Sequence, residues 1–80
     1  MRIDKFLKVS RLIKRRTVAN EACELGKIKI NGKVAKPSSD VKPGDIIEIS
    51  FGNKNTKVEV VSVAENVSKA DAAQMIRIIE

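Results

Sequence analysis

The sequence contains no histidine, tryptophan or tyrosine, one cysteine, and two aromatic residues, Phe6 and Phe51. Without imidazole there is no side chain that titrates near neutrality as a general base, and the commonest metal ligand is missing. Cys23 stands alone, so neither an internal disulfide nor a multi-thiolate zinc site is available. It reads as a small buried apolar group on a helix, consistent with a reducing cytoplasm. Apolar runs such as Val60-Val61 and Ile78-Ile79 fall far below the roughly 20 residues of a membrane span. The start is basic but lacks the apolar stretch and cleavage site of a secretory signal. No metal, cofactor, membrane contact or catalytic chemistry is expected.

What is present is positive charge. Over 80 residues, 16 Lys+Arg face 10 Asp+Glu, a net charge of +6, and 42% of residues are hydrophobic. That describes one small basic domain with a core and no room for a second catalytic module. The charge is unevenly placed: residues 1–40 carry 11 basic and 4 acidic side chains, whereas residues 41–80 carry 5 and 6. Residues 1–16 alone hold seven basic side chains against Asp4. Such asymmetry points to a surface that meets a polyanion.

The pattern predicts an amphipathic helix from about Ile3 to Ile13, with Ile3, Phe6, Leu7, Val9 and Ile13 on one side. Lys5, Lys8 and Arg11, and Arg15 if the helix reaches it, then form a basic stripe opposite. A surface kept only for solubility mixes both signs; this one does not, which favours phosphate contact. Thr17 is expected to cap a second helix through Leu25, with Val18, Ala22 and Leu25 inward and Ala19 and Cys23 flanking them, Asn20, Glu21 and Glu24 outward, and Gly26 closing it. Lys14, Arg15 and Arg16 would then stand before a helix N-terminus, a place already favourable to anions.

After Gly26 the period changes to two. Lys27 to Ile30 and Lys33 to Lys36 flank an Asn31-Gly32 hairpin signal, and their four lysines extend the basic surface. Residues 37–40 form a loop and Lys42-Pro43-Gly44-Asp45 a turn. Ile46–Phe51 and Thr56–Val63 read as strands, the first burying Ile47, Ile49 and Phe51. A short helix begins at Ser68, where Ser68 and Asp71 resemble a capping box, and Ile76–Ile79 is a final strand. With both phenylalanines assigned to the core, base stacking is disfavoured, leaving phosphates, sugars and the shape of folded RNA as the target. The expected class is α+β: helices within about 3–25, a small, mostly antiparallel sheet within about 27–63, and a helix and strand within about 68–79, all one domain.

The ordered set Arg2-Ile3-Asp4-Lys5-Phe6-Leu7, Arg11 with Arg16-Thr17, Gly26-Lys27-Ile28, Asn31-Gly32-Lys33, Pro37-Ser38 and Val41-Lys42-Pro43-Gly44-Asp45 resembles the RNA-binding domain family named for ribosomal small-subunit protein four. The whole sequence is similar to its bacterial branch in ribosome-associated quality control, and more distantly to the small heat-shock ribosome-rescue proteins, whose long basic C-terminal extension it does not show. The resemblance implies a cytoplasmic, monomeric factor that binds obstructed large ribosomal subunits through rRNA and peptidyl-tRNA. It further implies support of the elongation partner RqcH in adding alanine tails without mRNA. It assigns Arg2 and Arg16 to rRNA contact, groups Lys5, Lys8, Arg11, Lys14 and Arg15 on the same surface, and matches Asp4 to the family's acid. Asp4 is read as a helix-start carboxylate that orients a nearby arginine, and Lys29, Asn31 and Lys33 as rim contacts.

Three other readings compete. A basic two-helix unit imitates a helix-turn-helix DNA-binding module, although Glu21 and Glu24 on the second helix suit base edges poorly. Domains of this type are appended to RNA-modifying enzymes, but no catalytic set is visible. A protein-binding adaptor using the more acidic second half is compatible with RNA binding.

Overall fold

The computed structural model describes residues 1–65 and 67–79. The helices α1 (Ile3–Val9) and α2 (Arg16–Glu24) precede four strands: β1 (Ile28–Ile30), β2 (Lys33–Val34), β3 (Ile46–Phe51) and β4 (Lys54–Val60). The one-turn helix α3 (Lys69–Ala72) and β5 (Ile76–Ile79) complete the order. The strands form an antiparallel five-stranded sheet in the order β2-β1-β3-β4-β5.

Period-two patterning sets the sheet's faces. Ile28 lies opposite Ile49, Ile30 opposite Ile47, and Ile47 opposite Val58, so one face is a continuous apolar row. That row joins Ile3, Phe6 and Leu7 of α1 and Ala19, Ala22 and Cys23 of α2 in one core. The other face places Lys29, Glu48 and Lys57 side by side across β1, β3 and β4. Alternating signs at cross-strand positions stabilise such a row modestly and leave it without a dominant charge.

The hairpin signal holds: Asn31 and Gly32 have φ of 52° and 84°, the paired positive angles of a type I′ turn. Ser68 caps α3, its hydroxyl accepting from the Asp71 amide at 3.2 Å. Four details of the helical half and β3 differ from expectation. Helix α1 stops at Val9, and Ile13 enters the core only after the chain turns at Arg11, whose φ is 63°. Helix α2 starts at Arg16 with Arg15 at its cap position, so Thr17 is not the cap. Its buried stripe is Ala19, Ala22 and Cys23, whereas Val18 and Leu25 remain 39% and 70% exposed. Phe51, at the far end of β3, is 39% exposed rather than core. The second hairpin is also shifted, with β4 occupying Lys54–Val60 instead of 56–63.

Candidate nucleic-acid interface

The first four residues are pinned to the loop at 37–41. The Ile3 amide donates to the Ser39 carbonyl at 2.7 Å, the Val41 amide to the Met1 carbonyl at 2.9 Å, and the Met1 ammonium pairs with Asp40 at 2.7 Å. This strand-like clamp fixes Arg2 just before α1 and places Asp4 in its first turn, where an acid complements the helix dipole.

Asp4 is only 2% exposed and is the hub of the site. Arg2 grips it side-on, Nε donating to Oδ1 at 3.2 Å and Nη2 to Oδ2 at 3.1 Å. The Lys5 amide donates to Oδ1 at 2.7 Å. Arg16 Nη2 and Asn20 Nδ2 approach from α2 at 3.5 Å each, at the weak limit of hydrogen bonding. Burial pushes the Asp4 carboxyl upward. The Asn20 amide, the Lys5 N–H, the Arg16 charge and Arg2 outweigh it and hold the group below its ordinary value of 3.8. The acid therefore stays ionised and orients two arginines that are themselves 51% and 45% exposed. A guanidinium has five donors, so Arg2, with two spent on Asp4, keeps donors for a phosphate. Arg2, Asp4, Arg16, Thr17, Asn20, Glu21 and Glu24 line a concavity of about 590 Å³.

Next to this cluster α2 presents an uncapped N-terminus. Among the described residues no side chain bonds its first-turn amides, no acid stands in the first turn, and Ala19 is the first residue to bond back, to the Arg15 carbonyl at 3.0 Å. Exposed Lys14, Arg15 and Arg16 stand against the positive end of a helix dipole, an arrangement that costs stability until an anion arrives.

The expected continuous stripe Lys5, Lys8, Arg11, Arg15 is broken by the early end of α1. Lys5 pairs with Glu65 at 3.2 Å. Lys8, Arg11 and Lys14 gather around a separate groove. Among the rim residues, Lys29 and Lys33 are exposed, Lys29 on the mixed-charge sheet face. Asn31 spends part of its amide on the fold: Nδ2 donates one hydrogen to Asp45 at 3.1 Å, and Oδ1 accepts from the Ile46 amide at 2.9 Å, which leaves the second Nδ2 hydrogen. It clamps the hairpin to the start of β3. Asn20 is the residue sequence reasoning missed. Its signal was the four-residue step from Arg16, which puts both on one helix face. Cys23 is buried, and burial with the charges of Asp4 and Glu24 pushes its thiol up to about 11, an inert group.

Two short helices packed on a small antiparallel sheet, with arginines oriented by a buried acid beside an open helix N-terminus, define a compact RNA-binding domain. Residues 1–47 match the family model of the S4 domain. The chain is 54% identical over 79 residues to the RQC P-site tRNA stabilizing factor of Streptococcus pneumoniae, covering 99% of this chain and 90% of that protein. It is also 54% identical over 80 residues to the factor of the same name from Bacillus subtilis, covering 100% of this chain and 93% of that one. The trimeric structure of Vibrio cholerae Heat Shock Protein 15 superposes with a TM-score of 0.90 at 30% identity, over 99% of this chain and 81% of that chain. The chain belongs to the S4-domain family and, within it, to the RQC P-site tRNA stabilizing factors.

Proposed function

We propose that this protein is a non-enzymatic RNA-binding factor of ribosome-associated quality control that stabilises tRNA in the P site of obstructed large subunits. It acts as a cytoplasmic monomer, contacts rRNA and the peptidyl-tRNA, and supports RqcH in mRNA-independent alanine tailing. The observation that carries this reading is the Arg2–Asp4–Arg16 cluster, two solvent-facing guanidiniums held on one buried carboxylate within a family named for P-site tRNA stabilisation. The work proposed for the site is positional: fixed donors grip backbone phosphates and the sheet keeps them rigid, holding the tRNA where peptide transfer needs it.

Gradient sedimentation of tagged protein from cells with stalled translation tests the reading. The protein is expected to travel with large subunits that carry tRNA and RqcH. Recovery at the top of the gradient, free of subunits, would overturn it.

A further inference from the structure

Lys8, Arg11 and Lys14 recur every third residue, a spacing that on an unbroken helix would make them drift over about 120° of its surface. The structure brings them together instead. Helix α1 ends with Ser10 at its C-cap, Arg11 takes the left-handed conformation, and the chain folds back with the Ile13 amide donating to the Leu7 carbonyl at 3.0 Å. The three cations line a groove of about 680 Å³ whose other walls are Val9, Val67, Glu65 and Lys69. Lys69 comes from α3, outside the residues that match the S4 domain model. Among the described residues, none of these four cations is in an ion pair. The single acid lining the groove, Glu65, is 72% exposed and paired with Lys5.

Four unpaired like charges around one groove repel one another, and a polyanion relieves that cost. We propose that this groove is a second seat for RNA backbone phosphate, that Lys69 is one of its contacts, and that Glu65 is the acid a bound phosphate displaces. The proposal rests on the RNA-binding reading above and extends it to a segment outside the matched domain. Continuity favours RNA over an acidic peptide. Lys14 lines this groove and Arg16 the Asp4 concavity, and two residues span at most about 7 Å. One nucleic-acid strand crossing the 14–16 junction can thus engage both places.

The test measures binding of the full chain to purified large subunits carrying peptidyl-tRNA between 50 and 200 mM salt, with poly-glutamate as a competing probe. Lys69→Ala is expected to weaken binding several-fold and to reduce the log–log salt slope by about 1. Glu65→Gln is expected to tighten binding several-fold at low salt. Both residues are exposed, so folding is not at stake. If Arg16→Ala weakens binding while the Lys69 and Glu65 variants match wild type, the groove proposal is overturned and the RNA reading stands. If wild type itself fails to bind the subunits, both fall. Poly-glutamate binding that depends on Lys69, alongside subunit binding that does not, would assign the groove to an acidic peptide and also overturn the proposal.

Discussion

Arg16 reaches back twelve residues to Asp4, its Nη2 lying 3.5 Å from the buried carboxylate and joining the start of α2 to the first turn of α1. The contact is long, and Arg2 makes the tighter grip, so the carboxylate does more to aim Arg16 than to bind it. An arginine held loosely by one anion and exposed on its other side is well placed to accept a second.

Asp4→Asn removes the charge while keeping the shape. The folded protein holds this carboxyl below its ordinary 3.8, so ionised Asp4 contributes stability above that pH, and the contribution is lost as pH falls through the lower, folded value. Denaturation of both proteins from pH 7 to 2 should show the variant less stable by about 1–3 kcal/mol near neutrality. The gap should close below pH 3.8. A gap unchanged down to pH 2 would mean that the charge is not what matters.

Arg15→Glu puts an acid at the cap position of α2, where the helix dipole favours it by about 0.3–1 kcal/mol. Thermal unfolding should move upward while affinity for subunits falls at least severalfold. A variant that gains stability and binds as well as wild type would remove the α2 N-terminus from the interface.

Arg11 holds a φ of 63° that costs a non-glycine residue about 1–2 kcal/mol. Arg11→Gly should therefore be more stable than Arg11→Ala by about 1 kcal/mol, with both losing the same cation and the same RNA affinity. Chemical denaturation and subunit binding read the two effects separately. Equal stability of the two variants would deny that the turn is strained.

Phe51 has the exposure a stacking base would need, with the Lys27 ammonium 5.8 Å from its ring centroid. Stacking contributes about 1–3 kcal/mol per base where it operates, a loss of roughly fivefold or more on truncation. Contact through phosphates and shape instead predicts that Phe51→Ala leaves subunit affinity within twofold of wild type by anisotropy titration.

Much of this was legible in the residues. The Asn31-Gly32 turn, the alternation of β1 and β3 and the Ser68 cap each follow from local chemistry, and the structure keeps them. Misreadings cluster where tertiary contact overrides period. Ile13 is buried, so the apolar pattern ran on through it, but the chain carries it inward by a left-handed turn that no periodicity encodes. Thr17 is a good cap by type, yet the cap position falls two residues earlier, at Arg15, and α2 opens with the arginine that meets Asp4. Phe51 has the right parity and lies beyond the helices' cover. Asp4 was legible as an orienting acid. The convergence of Arg2, Arg16 and Asn20 on it was not, since it depends on how α1 and α2 pack.

The most direct test compares Arg16→Ala with Lys57→Ala for binding to purified large subunits carrying peptidyl-tRNA, across a range of salt. If six or so phosphates are engaged, wild type should show a log–log slope of about −4 to −5. Arg16→Ala should lose at least tenfold in affinity, and Lys57→Ala, on the mixed-charge sheet face, should match wild type. A shallow slope, or equal losses in the two variants, would contradict the account.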